Sequence, residues 1–579
     1  MSAITTPSLF SRLYDSRGRG SFPIDAVIFA AVLAGLYALF GVGRVWFAPF
    51  TPATHISRSP WSLPLYATYS LCRMGLAYLG SLVFALVYAY IAARNRMAER
   101  VLIPLLDILQ SIPVLSFLPG VMLAMVALFP GRQLGLELGS VLLIFTGQVW
   151  NLAFSFYASL KGLPRELVEA SRTYRFGRWQ RFYQLELPFG AIGLVWNSLM
   201  SVAGGWFFLM ACEMFQLGNR DFRLPGLGSY LQTAANEGDT VSIVWGLAAM
   251  IVVILLLDQL LWRPLIAWAE KFKFEQVESA VTPQSAVLSW LARSSVLAWL
   301  RRKAIAPAWE VLSLRVARRE AAPDSAAPPA HWRVLVMRGA LVATLVLVLY
   351  GAMRAGHSLM ELTISDVSAL LRGAEATLLR VAAALAIGTL WTVPVGVAIG
   401  SRPRLAALAQ PIAQVAASVP ATALFPVVLL VLLRFGGGMG VAAILLMLLG
   451  TQWYLLFNVI AGAQAIPTDL KEVAEVYRFS GWDRWRLLVL PGIFPYLVTG
   501  LVTAAGGAWN ASIVAEYFHF QGRVLSTPGL GSTISHATDS GNFQLLLAST
   551  VVMAVVVVTI NRLVWKRLFR LAQTRFALG

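Results

Sequence analysis

Apolar stretches of about 20 residues or more recur along the chain, each bounded by short polar segments. A helix of that length crosses the hydrocarbon layer of a bilayer. The stretches fall near 24–49, 68–93, 101–129, 135–160, 188–215 and 241–268, and again near 333–353, 376–400, 408–433, 438–463, 488–518 and 545–569. This pattern predicts an all-α integral membrane fold with about twelve transmembrane helices in two sets of six. The first stretch, Ile24 to Phe47, follows Arg12, Arg17 and Arg19. It is too long for the apolar part of a secretory leader, and no small-residue cleavage site is evident. An uncleaved first span is expected.

Between the fourth and fifth stretches of each set the pattern changes. In 164–187, Leu167, Ala170, Ser171 and Tyr174 stand at i, i+3, i+4 and i+7; in 467–490, Leu470, Val473, Ala474 and Tyr477 repeat that spacing. Such spacing lines one face of a helix, and Pro164 and Pro467 suit helix starts. Arg175, Arg178 and Arg181 in one segment, and Arg478, Arg484 and Arg486 in the other, keep both out of hydrocarbon. A short amphipathic helix carried twice on one membrane face is either a docking knob for a partner or an interfacial helix packed on its own bundle.

Composition supports the membrane class. The chain is 58% hydrophobic and 13% charged, where a soluble domain carries about 25% charged residues. Its net charge of +18 raises the question of nucleic acid. Most Lys and Arg, however, lie in or beside the segments on one side of the twelve-span topology. That asymmetry makes this side cytoplasmic and places both termini there. The basic balance reports topology, with some attraction to anionic lipid, and no nucleic-acid role is expected. Cys72 and Cys212 lie in apolar stretches and the five His are scattered, so neither a disulfide framework nor a metal site is expected.

The chain also matches itself. Trp150 meets Trp453, Pro164 meets Pro467, Trp206 meets Trp509, Glu213 meets Glu516 and Trp262 meets Trp565, all at an offset of 303. Pro-Gly-Leu-Gly-Ser occurs at 225–229 and again at 528–532. Upstream the offset is 307: Arg73 meets Arg380, and Ser111, Pro113 and Pro119 meet Ser418, Pro420 and Pro426. An even number of spans per copy makes the two repeats parallel, an arrangement that usually places a pathway between them. The organisation expected is a first unit at 1–269 (core repeat about 66–270), a cytoplasmic linker at 270–332, and a second unit at 333–579 (core repeat about 370–575). The linker ends in a Pro- and Ala-rich run. Its middle, Ala286 to Arg302, is either an amphipathic surface helix or a loosely helical tether.

Glu-Ala-Ser-Arg-Thr-Tyr-Arg-Phe-Gly-Arg-Trp-Gln-Arg-Phe (169–182) followed by Leu-Pro (187–188) resembles the EAA loop of ABC-importer permeases. Glu-Val-Ala-Glu-Val-Tyr-Arg-Phe-Ser-Gly-Trp-Asp-Arg-Trp (472–485), then Leu-Pro (490–491), resembles a second copy. Gly-Gly-Ala-Trp-Asn-Ala-Ser-Ile-Val-Ala-Glu-Tyr-Phe (506–518) and Pro-Gly-Leu-Gly (528–531) are similar to the nitrate/sulfonate/taurine branch. The resemblance implies an inner-membrane permease of an ATP-driven, binding-protein-dependent importer, with two units fused in one chain. It implies two ABC ATPase subunits or domains as partners and a periplasmic solute-binding protein. No cofactor is expected in this chain; ATP and Mg belong to the partner ATPase. The chain has no Gly-x-x-x-x-Gly-Lys-Ser/Thr phosphate loop of its own. Carried over by position, Glu169, Ala170, Ser171, Tyr174, Arg175, Phe176 and Trp179 would form one ATPase-coupling segment. Glu472, Val473, Ala474, Tyr477, Arg478, Phe479 and Trp482 would form the other. The family usually has Gly where Arg175 and Arg478 stand, which leaves the turn geometry open.

Candidate pathway or gate residues are Arg73 and Glu213 with their counterparts Arg380 and Glu516. Each pair is either a gate or anion contact, or a structural Arg–Glu pair. Trp206-Phe207 against Trp509-Asn510-Ala511-Ser512 marks a place where matched spans diverge from apolar to polar. An Asn there wants either a neighbouring helix or a cavity. Pro113, Pro119, Pro420 and Pro426 either kink the third spans or expose backbone to a cavity. The cargo implied by the resemblance is a small solute, an anion by branch. Two other readings stand beside the importer: an ion-gradient-driven secondary transporter with two six-helix repeats, and a membrane-embedded enzyme, for which no nucleophile–base or metal constellation is evident.

Overall fold

The computed structural model describes residues 22–49, 55–217, 220–272, 286–291, 293–321, 331–520 and 523–575. Arg12, Arg17 and Arg19, and most of the Pro-rich end of the linker, lie outside the described residues. The first half runs through α1 (Phe22–Trp46), α2 (Leu63–Arg94), α3 (Arg96–Ser111), α4 (Leu118–Leu128), α5 (Leu134–Lys161) and α6 (Arg165–Thr173). A one-turn α7 (Arg178–Arg181) leads into α8 (Leu187–Glu213). Strands β1 (Gln216–Leu217) and β2 (Arg220–Asp221), α9 (Leu227–Asn236), α10 (Thr240–Leu257) and α11 (Arg263–Ala269) complete it.

The linker forms α12 (Ala286–Leu291), α13 (Ser295–Leu300) and α14 (Ala306–Ala321). The second half repeats the order with α15 (His331–Met360), α16 (Ile364–Gly400), α17 (Pro403–Ser418), α18 (Ala421–Arg434), α19 (Met439–Ala465) and α20 (Thr468–Val476). It continues through α21 (Gly481–Arg484), α22 (Leu490–Ala515), β3 (Tyr517–Phe520), β4 (Arg523–Ser526), α23 (Leu530–Ser540), α24 (Phe543–Ile560) and α25 (Lys566–Arg575).

Among the described residues, nine helices are long and apolar enough to cross a bilayer, and Val114–Leu128 and Ala421–Leu432 are shorter apolar helices. The protein is an all-α multi-pass membrane protein. The third stretch of each half is not one continuous helix. It divides at Ile112-Pro113 and at Val419-Pro420, where the residue before proline is held extended (ψ 124° and 117°) because the ring disfavours helical geometry there. Pro119 falls at a helix start, where its missing N–H costs nothing, while Pro426 lies inside α18.

Each core is built from three packed helices: α2, α5 and α8 in the first half, and α16, α19 and α22 in the second. The broken third spans reach across. Helices α17 and α18 pack on α8, and the short turn Val114–Phe117 packs on α22. Ser116 also accepts a hydrogen bond at its carbonyl from Thr550 Oγ1 (3.2 Å). The helix breaks therefore shape the junction between the halves. Pro188 and Pro491 have a further shared effect. Just before each, the helix widens into a π turn, Phe182–Glu186 and Trp485–Val489, which accommodates the ring and the lost donor.

The linker's Ala286–Arg302 segment is not a single surface helix. It is divided into α12 and α13, and it is tied to the first half. Asp25 of α1 accepts hydrogen bonds from Ser294 Oγ (2.6 Å), Val296 N (3.2 Å) and Ser295 Oγ.

Candidate functional site

The two amphipathic segments form the short helices α6 and α20, each followed by the same turn. Phe176 N donates to Ser171 O (2.9 Å) and Arg175 N to Arg172 O (2.9 Å). In the second half Phe479 N donates to Ala474 O (2.8 Å) and Arg478 N to Glu475 O (3.0 Å). This six-to-one and five-to-two pairing is a Schellman termination, which needs a left-handed residue between its two donors' carbonyl partners and the exit. Arg175 (φ 52°) and Arg478 (φ 55°) fill that place, and they are the only non-glycine residues at positive φ among the described residues. The turn geometry left open by the sequence is thus the glycine-type turn, held by arginine at a cost of about 1–2 kcal/mol each. Strain kept at the same place in both halves points to a role for the side chain.

The faces of α6 and α20 differ from the carried-over assignment. Ser171 and Ala474 are buried and point into their own half; Ala474 packs in an apolar cluster with Ile466 and Val489. They do not belong to an outward contact surface. The outward surface carries Glu169, Ala170 and Arg175 in one half and Glu472, Val473 and Arg478 in the other, all exposed. Tyr174 and Tyr477 project from it with 76% and 72% exposure. Phe176 and Phe479 are half-buried and sit against these tyrosines, with ring centroids 6.2 and 6.1 Å apart. The set placed at i, i+3, i+4 and i+7 is therefore split: Ser171 and Ala474 turn inward, while Ala170, Tyr174, Leu470, Val473 and Tyr477 are exposed.

The matched tryptophans behave unequally. Trp482 is 71% exposed. Trp179 is half-buried because α14 of the linker covers it. Trp309 lies 6.3 Å from the Trp179 ring and 4.5 Å from the Tyr183 ring.

At the opposite end of the bundles a second duplicated arrangement organises the ends of α8 and α22. Arg73 is fully buried and holds two carboxylates: Nε donates to Glu137 (2.5 Å), Nη2 to Glu137 (2.8 Å) and Nη1 to Glu213 (2.8 Å). Its Nη1 also reaches Pro225 O (2.8 Å). Glu213 accepts from Ser70 Oγ (2.7 Å) and from Gly228 N (2.7 Å), and Ser70 Oγ accepts from Leu227 N (3.0 Å). In the second half Arg380 Nη1 donates to Glu516 (2.7 Å) and Nη2 to Thr527 Oγ1 (2.9 Å). Glu516 accepts from Thr377 Oγ1 (2.8 Å) and Gly531 N (2.9 Å), and Thr377 Oγ1 accepts from Leu530 N (2.8 Å).

Each glutamate thus caps the N-terminus of the next helix, where backbone donors and the helix dipole favour an anion. The shared Pro-Gly-Leu-Gly now has a reason. A Cβ on Gly226 would lie 2.3 Å from Glu213 Cδ, and one on Gly529 would lie 2.1 Å from Glu516 Oε2. Only glycine lets the backbone approach the carboxylate so closely. Of the two readings offered by the sequence, this geometry is that of a structural Arg–Glu pair. Glu137 escaped the sequence comparison because its counterpart is Gly440, so nothing at that position repeats.

The remaining sequence candidates lie within the bundles. Trp206 and Trp509 are buried at 2% exposure. Phe207 and Phe208 are half-buried and meet edge to face. Ser512 is fully buried and donates to Trp509 O (2.8 Å) in its own helix. Asn510 Nδ2 donates to Gly506 O (3.1 Å), also in its own helix, while its Oδ1 is buried without a partner. Neither Phe207, Asn510 nor Ser512 lines the cavity that the structure places between the halves.

Comparison with known proteins agrees with the duplication. The family described as binding-protein-dependent transport system inner membrane component matches residues 81–261 and again 392–573. A nitrate import permease protein of Leptolyngbya laminosa is 30% identical over 189 residues, 33% of this chain and 64% of the relative. A bicarbonate transport system permease protein of Synechococcus elongatus is 33% identical over 141 residues, 24% of this chain and 49% of the relative. A taurine transport system permease protein of Escherichia coli is 28% identical over 181 residues, 31% of this chain and 62% of the relative. The chain thus spans between about half and two thirds of the length of these relatives.

Proposed function

From a chain that belongs to the family of binding-protein-dependent transport inner membrane components, we propose that one polypeptide supplies both permease units of an ATP-driven importer. Helices α6 and α20 are its two docking points for two ABC ATPase subunits or domains, which bind the ATP and Mg. A small solute, delivered by a periplasmic binding protein, passes between the halves to the cytoplasm. The chain lies in a bacterial inner membrane with both termini cytoplasmic. The names of the relatives (nitrate, bicarbonate and taurine) favour a small anionic or zwitterionic cargo.

The observation that carries this reading is the duplicated short helix. Each copy exposes a glutamate and a tyrosine, and each ends in a Schellman turn held open by arginine against its own conformational preference. A helix that only packed on its own bundle would not need a strained, exposed cation at the same place twice. The test is Glu169→Lys combined with Glu472→Lys. Membrane insertion is expected to be retained while ATPase copurification and solute-stimulated ATP hydrolysis fall. Unchanged values in the double variant would remove α6 and α20 from coupling.

A further inference from the structure

Helices α6 and α20 share a shape but not a charge. From Arg165 to Arg181 the exposed charged side chains are four arginines, at 165, 172, 175 and 178, and two glutamates, at 166 and 169. Over the matching stretch of the second half they are four carboxylates, Asp469, Glu472, Glu475 and Asp483, and two arginines, Arg478 and Arg484. The difference arises at four matched positions. Arg165 stands against Thr468, Arg172 against Glu475, Arg178 against Gly481 and Gln180 against Asp483. Both helices end in the same Schellman turn, so these residues occupy the same places on two surfaces of opposite sign.

Local structure does not account for two of these charges. A helix favours acids in its first turn and bases in its last. Arg165 is the first residue of α6, and Glu475 lies in the last turn of α20. Each therefore sits at the end of its helix that repels it. Glu475 also stands three residues after Glu472, a like-charge spacing that weakens a helix. By contrast, Arg172 complements its own helix end. A locally unfavourable charge kept on an exposed docking surface is compensated when a partner brings the opposite charge, and such complementarity selects the partner. The linker adds to the inequality on one side only: Trp309 stacks beside Trp179, while Trp482 is left 71% exposed.

We propose that the two docking points take unlike ATPase surfaces, an acid-rimmed groove on α6 and a base-rimmed groove on α20. Tyr174 with Arg175, and Tyr477 with Arg478, supply what the two contacts share. Arg165 and Arg172 on one side, and Glu475 and Asp483 on the other, decide which ATPase goes where. The two ATPase chains or domains are then non-identical, and the single permease chain holds them in one fixed order. The proposal rests on the importer reading and deepens it.

Site-specific photo-crosslinking of the full chain in the membranes of its own host tests it. The photoreactive residue p-benzoylphenylalanine is placed at Thr173 or, separately, at Val476, which are matched, exposed positions beside the shared tyrosines. Captured peptides are identified by mass spectrometry. Thr173 is expected to capture an ATPase segment flanked by Asp and Glu. Val476 is expected to capture one flanked by Lys and Arg, from a different ATPase chain or domain. Arg165→Thr with Arg172→Glu should lower capture at Thr173 about threefold or more, as the loss of exposed ion pairs implies. Glu475→Arg with Asp483→Gln should bring the peptide seen at Thr173 to Val476. The same ATPase peptide at both positions of the unaltered protein would overturn the proposal and leave the importer reading standing. Capture unmoved by either exchange, or phospholipid in place of protein at Thr173 while Val476 holds an ATPase, would also overturn it. Capture of no ATPase at either position would count against the importer reading itself, and the proposal would fall with it.

Discussion

At the end of the bundle beside α6 the first half is tied by charges. Glu186 accepts from Arg94 at 2.5 Å and lies 2.9 Å from Arg181, while Glu99 takes Tyr157 at 2.5 Å and Lys161 at 2.8 Å. At the matching places the second half has Ser401, Val489 and Arg484, and Ala406, Ile460 and Gln464, so both carboxylates are gone. Val489 is buried with Ile466 and Ala474, and Ala406 packs with Ile460. The same division appears at the other end of the bundles, where Arg73 holds two carboxylates and Arg380 holds one. One backbone plan is therefore stabilised by polar ties in one copy and by apolar packing in the other. Polar geometry is kept where both copies use it, as in the Schellman turn after α6 and α20 and the glycine cradle around Glu213 and Glu516. Buried ion pairs are weak evidence for net stability, so their loss in the second half fits a fold that packing already holds. The retained features are those with a job that packing alone cannot do.

The comparison is strained most at Arg73. Arg73→Met leaves Glu137 and Glu213 buried without a cation, whereas Arg380→Met leaves Glu516 alone. Removing one partner of a buried pair costs about 3–5 kcal/mol, so the first-half variant should lose more folded yield and melt earlier than the second-half variant. Adding Glu137→Gln should recover part of the loss. Thermal unfolding and monodisperse yield in detergent measure this; equal losses in the two halves would contradict the unequal charge count.

The next effect concerns what the halves share. Arg175→Gly and Arg478→Gly should each relieve about 1–2 kcal/mol of left-handed backbone strain, raising thermal stability to a similar extent in either half. ATPase attachment should weaken at low salt, with the difference shrinking as salt screens the exposed charges. Attachment unchanged at every salt concentration would mean that the arginines serve only the turn.

The smallest effect is confined to one half. Trp309→Ala removes ring contacts worth about 0.5–1.5 kcal/mol and should release α14 from Trp179 and Tyr183. Limited proteolysis should then cut 286–321 faster, while cleavage around Trp482 stays as it was. Equal change at both places would show that the linker does not distinguish the halves.

Much of this organisation was legible in the sequence. Apolar run length pointed to the membrane class and to most of the twelve expected spans, of which nine are long and apolar enough among the described residues, and the fixed offset pointed to the duplication, because rare residues such as Trp and Pro seldom coincide by chance. The helix breaks at Pro113 and Pro420 were signalled by the prolines, although not the crossing of the broken helices to the opposite half. Repetition itself set the blind spots. Glu137 was invisible because Gly440 stands opposite it, and Trp309 because the linker occurs once. The inward turn of Ser171 and Ala474 was hidden since small residues suit either face of a short helix. The cavity between the halves depends on tertiary packing that no local pattern encodes.

The central claim is that a single chain carries both coupling helices of a complete importer. The native mass of the complex purified with its ATPase tests this most directly. The account predicts one copy of this chain with two ATPase subunits or domains, falling to one when either Glu169→Lys or Glu472→Lys is introduced. Two copies of this chain per complex, or one ATPase at saturation of the unaltered protein, would contradict it.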